Sequence, residues 1–319
     1  MFKKILVPLD RSALAEQAIG QAMRIARGAK AAIELVLVYQ PHPIDAPWEK
    51  EDETANSQYL DGIARDLQSR SALPVVYVVL RGSPAECICE RDADLIVMTS
   101  HGRTGFNRAW LGSVADAVVR HTSVPVLMLR PTKGSTSRGK AGRAFKHILV
   151  LVDGSEFAAE VLGPAIDLAK AIGANLTLFR AVYPIPLITR VDEWIPSMYA
   201  PIPADEKATA EAAAQAKADL ESLAQQIRDA HALAVSADVT VNERFADGIV
   251  QFAKSHNIDC IAMTTHGRGA SRLVLGSVAD KVLRGSGLPV LIRRPAAVAE
   301  TDLGAEEVAE QLQTTMGGL

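Results

Sequence analysis

Two aspartates end apolar runs in the same setting. Residues 5–12 read ILVPLDRS and residues 148–155 read ILVLVDGS, so Asp10 and Asp153 each follow a strand-like stretch and precede a serine by two places. A carboxylate there can accept a hydrogen bond from a base amino group or a ribose hydroxyl, or it can cap the helix that follows. Later in each half a glycine-bearing loop joins an apolar run to a helix: Thr99-Ser100-His101-Gly102 leads to Gly112-Ser113, and Thr264-Thr265-His266-Gly267 leads to Gly276-Ser277. Gly102 and Gly105, like Gly267 and Gly269, let backbone amides approach an anion. Ser113 and Ser277 can donate hydroxyls, and the helix start adds a favourable field. The chemistry is phosphate and sugar recognition. Glycines serving turn geometry alone are the competing reading.

Arg103 and Arg268 can neutralise phosphate or face solvent, and His101 and His266 can bond phosphate or the loop backbone. No repeated nucleophile–base–orienter set accompanies these histidines, so they are not read as acid–base catalysts. Met98 and Met263 precede the loops and either touch a base or fill the core. No GxxxxGK[ST] loop occurs, and no GxGxxG follows the first apolar run. Cys87, Cys89 and Cys260 make neither a disulfide framework nor a four-ligand zinc site. They read as packing residues in a reducing compartment.

The elements that must position these residues occur twice. The stretch DLIVMTSHGRTGFNRAWLGSVADAVVRHTSVPVLMLRP at 94–131 is matched by DCIAMTTHGRGASRLVLGSVADKVLRGSGLPVLIRRP at 259–295. This is an internal duplication, and 319 residues suit two domains of roughly 150. Short aliphatic runs predict strands at 4–9, 33–39, 74–80, 94–99 and 125–129, then 147–152, 175–181, 236–241, 259–264 and 289–293. Helical periodicity predicts helices at 12–27, 57–70, 84–91 and 112–121, then 157–172, 206–232, 246–255 and 276–284. Gly28 and Gly173 read as helix stops. Strands without polar alternation, joined by helices, predict a parallel sheet covered on both faces: an αβα layer domain in each half.

Residues 1–131 and 145–295 are therefore the two domains. Residues 132–144 form a Gly/Ser-loosened basic linker, and 296–319 an acidic tail with a short helix near 304–315. The longer connections 40–55 and 182–205, the latter carrying Trp194, Met198 and Tyr199, read as ordered covering loops, with a lid or an interface as the functional alternative. The net charge of −3 argues against a strongly basic nucleic-acid binder. The N-terminal apolar run is too short for a membrane span or a secretion signal, so a cytoplasmic location is the default expectation.

The strand-ending aspartates, the SHGRTG and THGRGA loops, both GSVAD segments and the PVLMLR and PVLIRR runs together resemble the universal stress protein family in its tandem-domain form, over 2–131 and 145–295. The resemblance implies an α/β chain of two αβα domains, each a five-stranded parallel sheet of adenine-nucleotide-binding type, packed about a pseudo-two-fold axis. It also implies a cytoplasmic stress-associated sensor or regulator that binds ATP or a related adenine nucleotide, with which Mg²⁺ could travel. In the family pattern G-x₂-G-x₉-G-[ST], Thr99 stands at the first glycine, and Gly102, Gly112 and Ser113 match. Leu9, Asp10, Val38, Met98, His101 and Val114 complete the expected site of repeat 1. Repeat 2 has Thr264 at the first glycine and only eight residues between Gly267 and Gly276. Asp153, Ala181, Met263, His266, Ser277 and Val278 complete its site. Repeat 1 is expected to bind more tightly.

Two other readings stay open: a stress-associated interaction module that has lost one or both nucleotide sites, with an unidentified regulatory protein as partner, and a weak ATP-hydrolysing enzyme. The terminal strands are expected to pair the repeats within the chain. A homodimer is compatible with the duplication but not required by it.

Overall fold

The computed structural model describes residues 1–40, 48–100, 111–131, 144–187, 203–265 and 275–295, with only the helical backbone given over 48–52. The first repeat runs β1 (Lys4–Leu9), α1 (Gln17–Ala29), β2 (Ala32–Tyr39), α2 (Trp48–Ser69), β3 (Val75–Arg81), α3 (Pro84–Cys89), β4 (Leu95–Thr99), α4 (Ser113–His121) and β5 (Val126–Leu129). The second runs β6 (His147–Leu151), α5 (Glu156–Ala159), α6 (Leu162–Ile172), β7 (Asn175–Val182), α7 (Glu206–His231), β8 (Val235–Val241), α8 (Phe245–Ser255), β9 (Cys260–Thr264), α9 (Ser277–Gly285) and β10 (Val290–Arg293). The linker 132–143, the tail 296–319 and much of the two covering loops, with Trp194, Met198 and Tyr199, lie outside the described residues.

Within each half all five strands are parallel, in the orders β3-β2-β1-β4-β5 and β8-β7-β6-β9-β10. The two separate sheets expected from the duplication are halves of one ten-stranded sheet, because β5 and β10 pair antiparallel. Both strands are short and apolar, and an unpaired edge there would leave backbone groups unsatisfied. Leu127 faces Leu291 at the centre of this seam, Val126 faces Ile292, and Met128 faces Val290. The duplication equates Leu127 with Leu291, so exchanging the repeats maps this pairing onto itself. The pseudo-two-fold passes between these two leucines.

Side chains lock the seam. Arg130 donates to the carbonyl of Arg284 at 2.9 Å, and its counterpart Arg294 donates to that of His121 at 3.2 Å. Arg120 pairs with Asp116 at 2.8 Å and Arg284 with Asp280 at 2.7 Å. The guanidinium pKa of Arg120 and of Arg284 is raised, chiefly by the hydrogen bond each donates to its own aspartate and also by the field of the other repeat's aspartate.

Helices cover both faces, which is why Ile5, Leu6 and Val7 can all be buried in succession. One layer gathers Ile19, Leu60, Ile166 and Leu220 from α1, α2, α6 and α7. The other gathers Ile88, Val118, Ile249 and Val282 from α3, α4, α8 and α9. Each apolar cluster includes residues of both repeats.

Three helix readings need correction. Residues 157–172 are not one helix: α5 and α6 part at Glu160–Val161, because Pro164 has no amide to give the Glu160 carbonyl and its ring crowds that position. α2 begins nine residues earlier than expected, since the polar run at 49–53 carries no apolar period. Gly28 does not stop α1. Lys30 ends that helix in the left-handed region at φ 57°, whereas Gly173 does close α6, at φ 68°. Among the described residues no helix is long and apolar enough to cross a membrane.

Candidate functional site

The expected site residues were placed by chain position at strand ends, and the sheet brings those ends together. β1 lies between β2 and β4, so Asp10 follows Leu9 beside the end of β2, where Val38 follows Leu37. Asp10 does not cap a helix directly. Its Oδ1 accepts the Ser12 amide at 3.0 Å, and Ser12 Oγ in turn accepts the Ala15 amide at 3.1 Å. Asp153 repeats the arrangement. Its Oδ1 accepts the Ser155 amide at 2.9 Å and the Ser155 hydroxyl at 2.6 Å, and Ser155 Oγ caps α5 through the Ala158 amide at 3.1 Å. In repeat 2 the serine two places on does the capping, whereas in repeat 1 Ser12 closes a turn ahead of α1, which has no side-chain cap; in both the aspartate fixes the turn.

That turn needs positive φ after the aspartate. Gly154 supplies it at 86°, while repeat 1 places Arg11 there at 68°. The two turns are alike in shape and unlike in strain.

The glycine loops are pinned at both ends. Ser100 donates its amide to the Leu129 carbonyl, and its own carbonyl accepts the Gly112 amide at 2.8 Å. In repeat 2 Thr265 donates to Arg293 and accepts from Gly276 at 2.9 Å. The residue missing from repeat 2 is therefore taken up inside the loop, and both helices begin in the same way. Gly112 and Gly276 have φ −68° and −53°, so neither is required by a left-handed backbone. The N-caps of α4 and α9 are the glycines Gly112 and Gly276, which have no side chain to offer, and Ser113 and Ser277 are exposed beside the first-turn amides, an arrangement that suits an anion. His101, Gly102, Arg103 and Gly105, and His266, Gly267, Arg268 and Gly269, lie outside the described residues.

An apolar wall adjoins each helix start. Met98 is buried in the layer of α3 and α4, and Val38 and Val114 pack on the same cluster. Met263, Ala181 and Val278 form the matching group in repeat 2, with less side chain at Ala181. Leu9 is not part of this wall: its side chain is buried in the opposite layer, so any contact to a ligand here would come from its backbone. Thr99 and Thr264 end their strands as buried residues.

One residue near the site was not singled out in the sequence. Arg180, in register with Val152, stands where repeat 1 has Leu37. It donates to the Val152 carbonyl at 3.1 Å, one residue before Asp153, and lies 3.7 Å from Asp219. A single arginine inside the apolar run NLTLFRAV was the available signal.

The cysteines are not poised as thiolates. Burial pushes Cys89 to about 11 and Cys260 to about 12. Among the described residues no group of three His, Cys, Asp or Glu is placed to hold a metal ion.

The model of the universal stress protein family matches residues 1–130 and 144–294. The chain belongs to the universal stress protein family. The two matched stretches make it a tandem-domain member, and the family's association with the stress response comes with that membership. Universal stress protein Rv2005c of Mycobacterium tuberculosis is 26% identical over 269 residues, spanning 81% of this universal stress protein and 83% of that relative. Universal stress protein MJ0531 of Methanocaldococcus jannaschii is 29% identical over 144 residues, 42% of this chain and 85% of the relative. A solved universal stress protein from Archaeoglobus fulgidus covers 91% of this chain and 98% of its own, with a TM-score of 0.66 at 19% identity, a likeness of fold.

Proposed function

We propose that this tandem universal stress protein binds ATP or a related adenine nucleotide in each repeat and acts as a sensor or regulatory module. One observation carries the reading: both repeats bring a strand-ending aspartate, a loop pinned at its base, a glycine-capped helix start with an exposed serine, and an apolar wall to the same end of their strands. The donors suit a phosphate. The first amides of α4 and the Ser113 hydroxyl point to an anion, with His101 and Gly102 contributing from the loop as the family pattern implies. Asp10 then takes a ribose hydroxyl or the adenine amino group, and Val38, Met98 and Val114 flank the base. In repeat 2 the same roles fall to Ser277, His266, Gly267 and Gly276, then Asp153, then Ala181, Met263 and Val278.

Mg²⁺ would travel with the phosphates, and no ligand for it is assigned. The binding units are residues 1–131 and 145–295, and the working location is the cytoplasm. Titration of nucleotide-free protein with ATP, ADP and AMP by calorimetry tests the reading, and two saturable phases are expected. Heats no larger than dilution for all three nucleotides would sink it.

A further inference from the structure

The ten-stranded sheet ends at β3 on one side and β8 on the other, and the two edges are finished differently. Leu176 donates to the Ala234 carbonyl and Asn242 to that of Val182, so the backbone groups of Val235, Ala237 and Val239 point outward from β8. Side chains occupy them. Arg228 Nη1 donates to the Val235 carbonyl at 2.6 Å, Lys217 Nζ donates to that of Ala237, and Asp238 Oδ1 accepts the Val239 amide at 2.8 Å. Charged side chains thus close this edge to another strand.

β3 lacks that protection. Ile33 donates to the Pro74 carbonyl and Gly82 to that of Tyr39, so Val75, Tyr77 and Val79 turn their backbone groups outward. Gln68 Nε2 takes the Val75 carbonyl at 2.8 Å. Among the described residues nothing takes the amide or carbonyl of Tyr77 or Val79. The stretch Val75-Val76-Tyr77-Val78-Val79-Leu80 of β3, ahead of its terminal Arg81, has no charge and no proline, and Val76 and Tyr77 are 53% and 39% exposed. This is a long apolar strand left open at its centre.

We infer that β3 is an interface between two copies of this chain, paired antiparallel so that Tyr77 of each exchanges backbone hydrogen bonds with Val79 of the other. The open groups select this occupant. Two donors and two acceptors at alternate residues are matched by the same strand reversed, about a two-fold at Val78. Charge agrees with the reversal. A groove of about 610 Å³ runs beside Tyr77 along α2, past Glu53, Ser57, Asp61 and Arg65. Its carboxylate Glu53 lies toward one end and Arg65, which pairs with Asp61 at 2.9 Å and is largely exposed, toward the other. A two-fold that reverses β3 also lays α2 antiparallel on α2 of the second copy, bringing Glu53 of each toward Arg65 of the other. The inference is independent of the nucleotide reading.

Sedimentation of the full nucleotide-free chain over a concentration series tests it. The wild type is expected at twice 34.1 kDa. Tyr77→Lys and Val76→Lys should each raise the dimer dissociation constant at least about tenfold, by setting a charge opposite Val79 or Leu80 of the other copy in a strand pair that is otherwise apolar. Val241→Lys, on the closed edge, should leave it unchanged. Glu53→Arg should weaken the dimer, and Glu53→Arg combined with Arg65→Glu should restore it. Circular dichroism of each variant separates dissociation from misfolding. A wild type that sediments as a monomer throughout overturns the inference, as does a dimer lost through Val241→Lys but kept in a folded Tyr77→Lys or Val76→Lys protein.

Discussion

The backbone of Gly28 stands directly against the carbonyl oxygen of Ala171, where α1 of the first repeat crosses α6 of the second: a Cβ built on Gly28 would lie 1.6 Å from that oxygen. No side chain fits there, so the repeats can close on this face only if position 28 is glycine. Gly28→Ala must spread the helices or shift α6, and should cost about 1–3 kcal/mol. Gly62, in exposed α2, has nothing within 4 Å of an added Cβ. Gly62→Ala should instead stabilise by about 0.5–1 kcal/mol, through helix propensity alone. Urea denaturation of both variants checks the pair, and a harmless Gly28→Ala would mean the seam is looser than the helix crossing requires.

The turn after each aspartate gives a second contrast. An L residue in the left-handed region costs about 1–2 kcal/mol, and Arg11 occupies it at φ 68°, its side chain making, among the described residues, a long 3.4 Å contact to Asn56 Oδ1. Arg11→Gly should stabilise, though by less than about 1 kcal/mol, because glycine also frees the unfolded chain. Gly154→Ala should destabilise by about 1 kcal/mol. Opposite signs in thermal melts are the expected result.

His147 predicts a pH dependence. Its Nε2 lies 2.6 Å from Thr177 Oγ1, and burial lowers its pKa, with Asp259 opposing the shift and His256 adding to it. Above the ordinary histidine value of about 6.5 neither the folded nor the unfolded chain carries the proton, and the residue contributes no pH dependence. As pH falls through that value the unfolded chain binds a proton that the folded one refuses. Stability therefore drops until pH passes the lowered folded value. His147→Gln should flatten this part of the urea-stability profile, and an unchanged slope would count against the assignment.

At the proposed nucleotide sites, asparagine separates charge from turn geometry. Asp10→Asn and Asp153→Asn keep an oxygen for the serine amide while removing the charge. Asp10→Asn should weaken the tighter calorimetric phase about tenfold, the loss of one charge-assisted hydrogen bond. Asp153→Asn should act on the weaker phase. The order follows from the fuller apolar wall at Val38 and the nine-residue spacing of repeat 1, and a reversed result would reject it.

The sheet was legible because its strands are short aliphatic runs and because the duplication reports every element twice. Pro125–Leu129 and Pro289–Arg293 were expected at the seam, and β5 and β10 pair there. What escaped depends on neighbours distant in sequence. Gly28 is followed closely by the end of α1 and looks like any helix stop, and only Ala171, far along the chain, explains it. Asp10 and Asp153 were expected as caps or ligand groups, but each binds the amide of the serine two residues on, and only Ser155 then caps a helix. At the opposite end of the strands, Lys4 pairs with Glu34 at 2.6 Å, while the duplicate positions hold His147 and Thr177. That exchange of an ion pair for a neutral contact leaves no periodic trace in the sequence.

The antiparallel join of β5 and β10 has a consequence for traffic across the molecule. All five strands of one half point one way and all five of the other point back, so the two carboxyl ends open on opposite rims of a shared sheet. A single mononucleotide cannot touch both rims. On the proposed function, a protein docked over one rim would leave the other uncovered, so each occupancy would be read out separately. Any coupling between the two rims must cross the β5–β10 seam or the packing of α1 on α6.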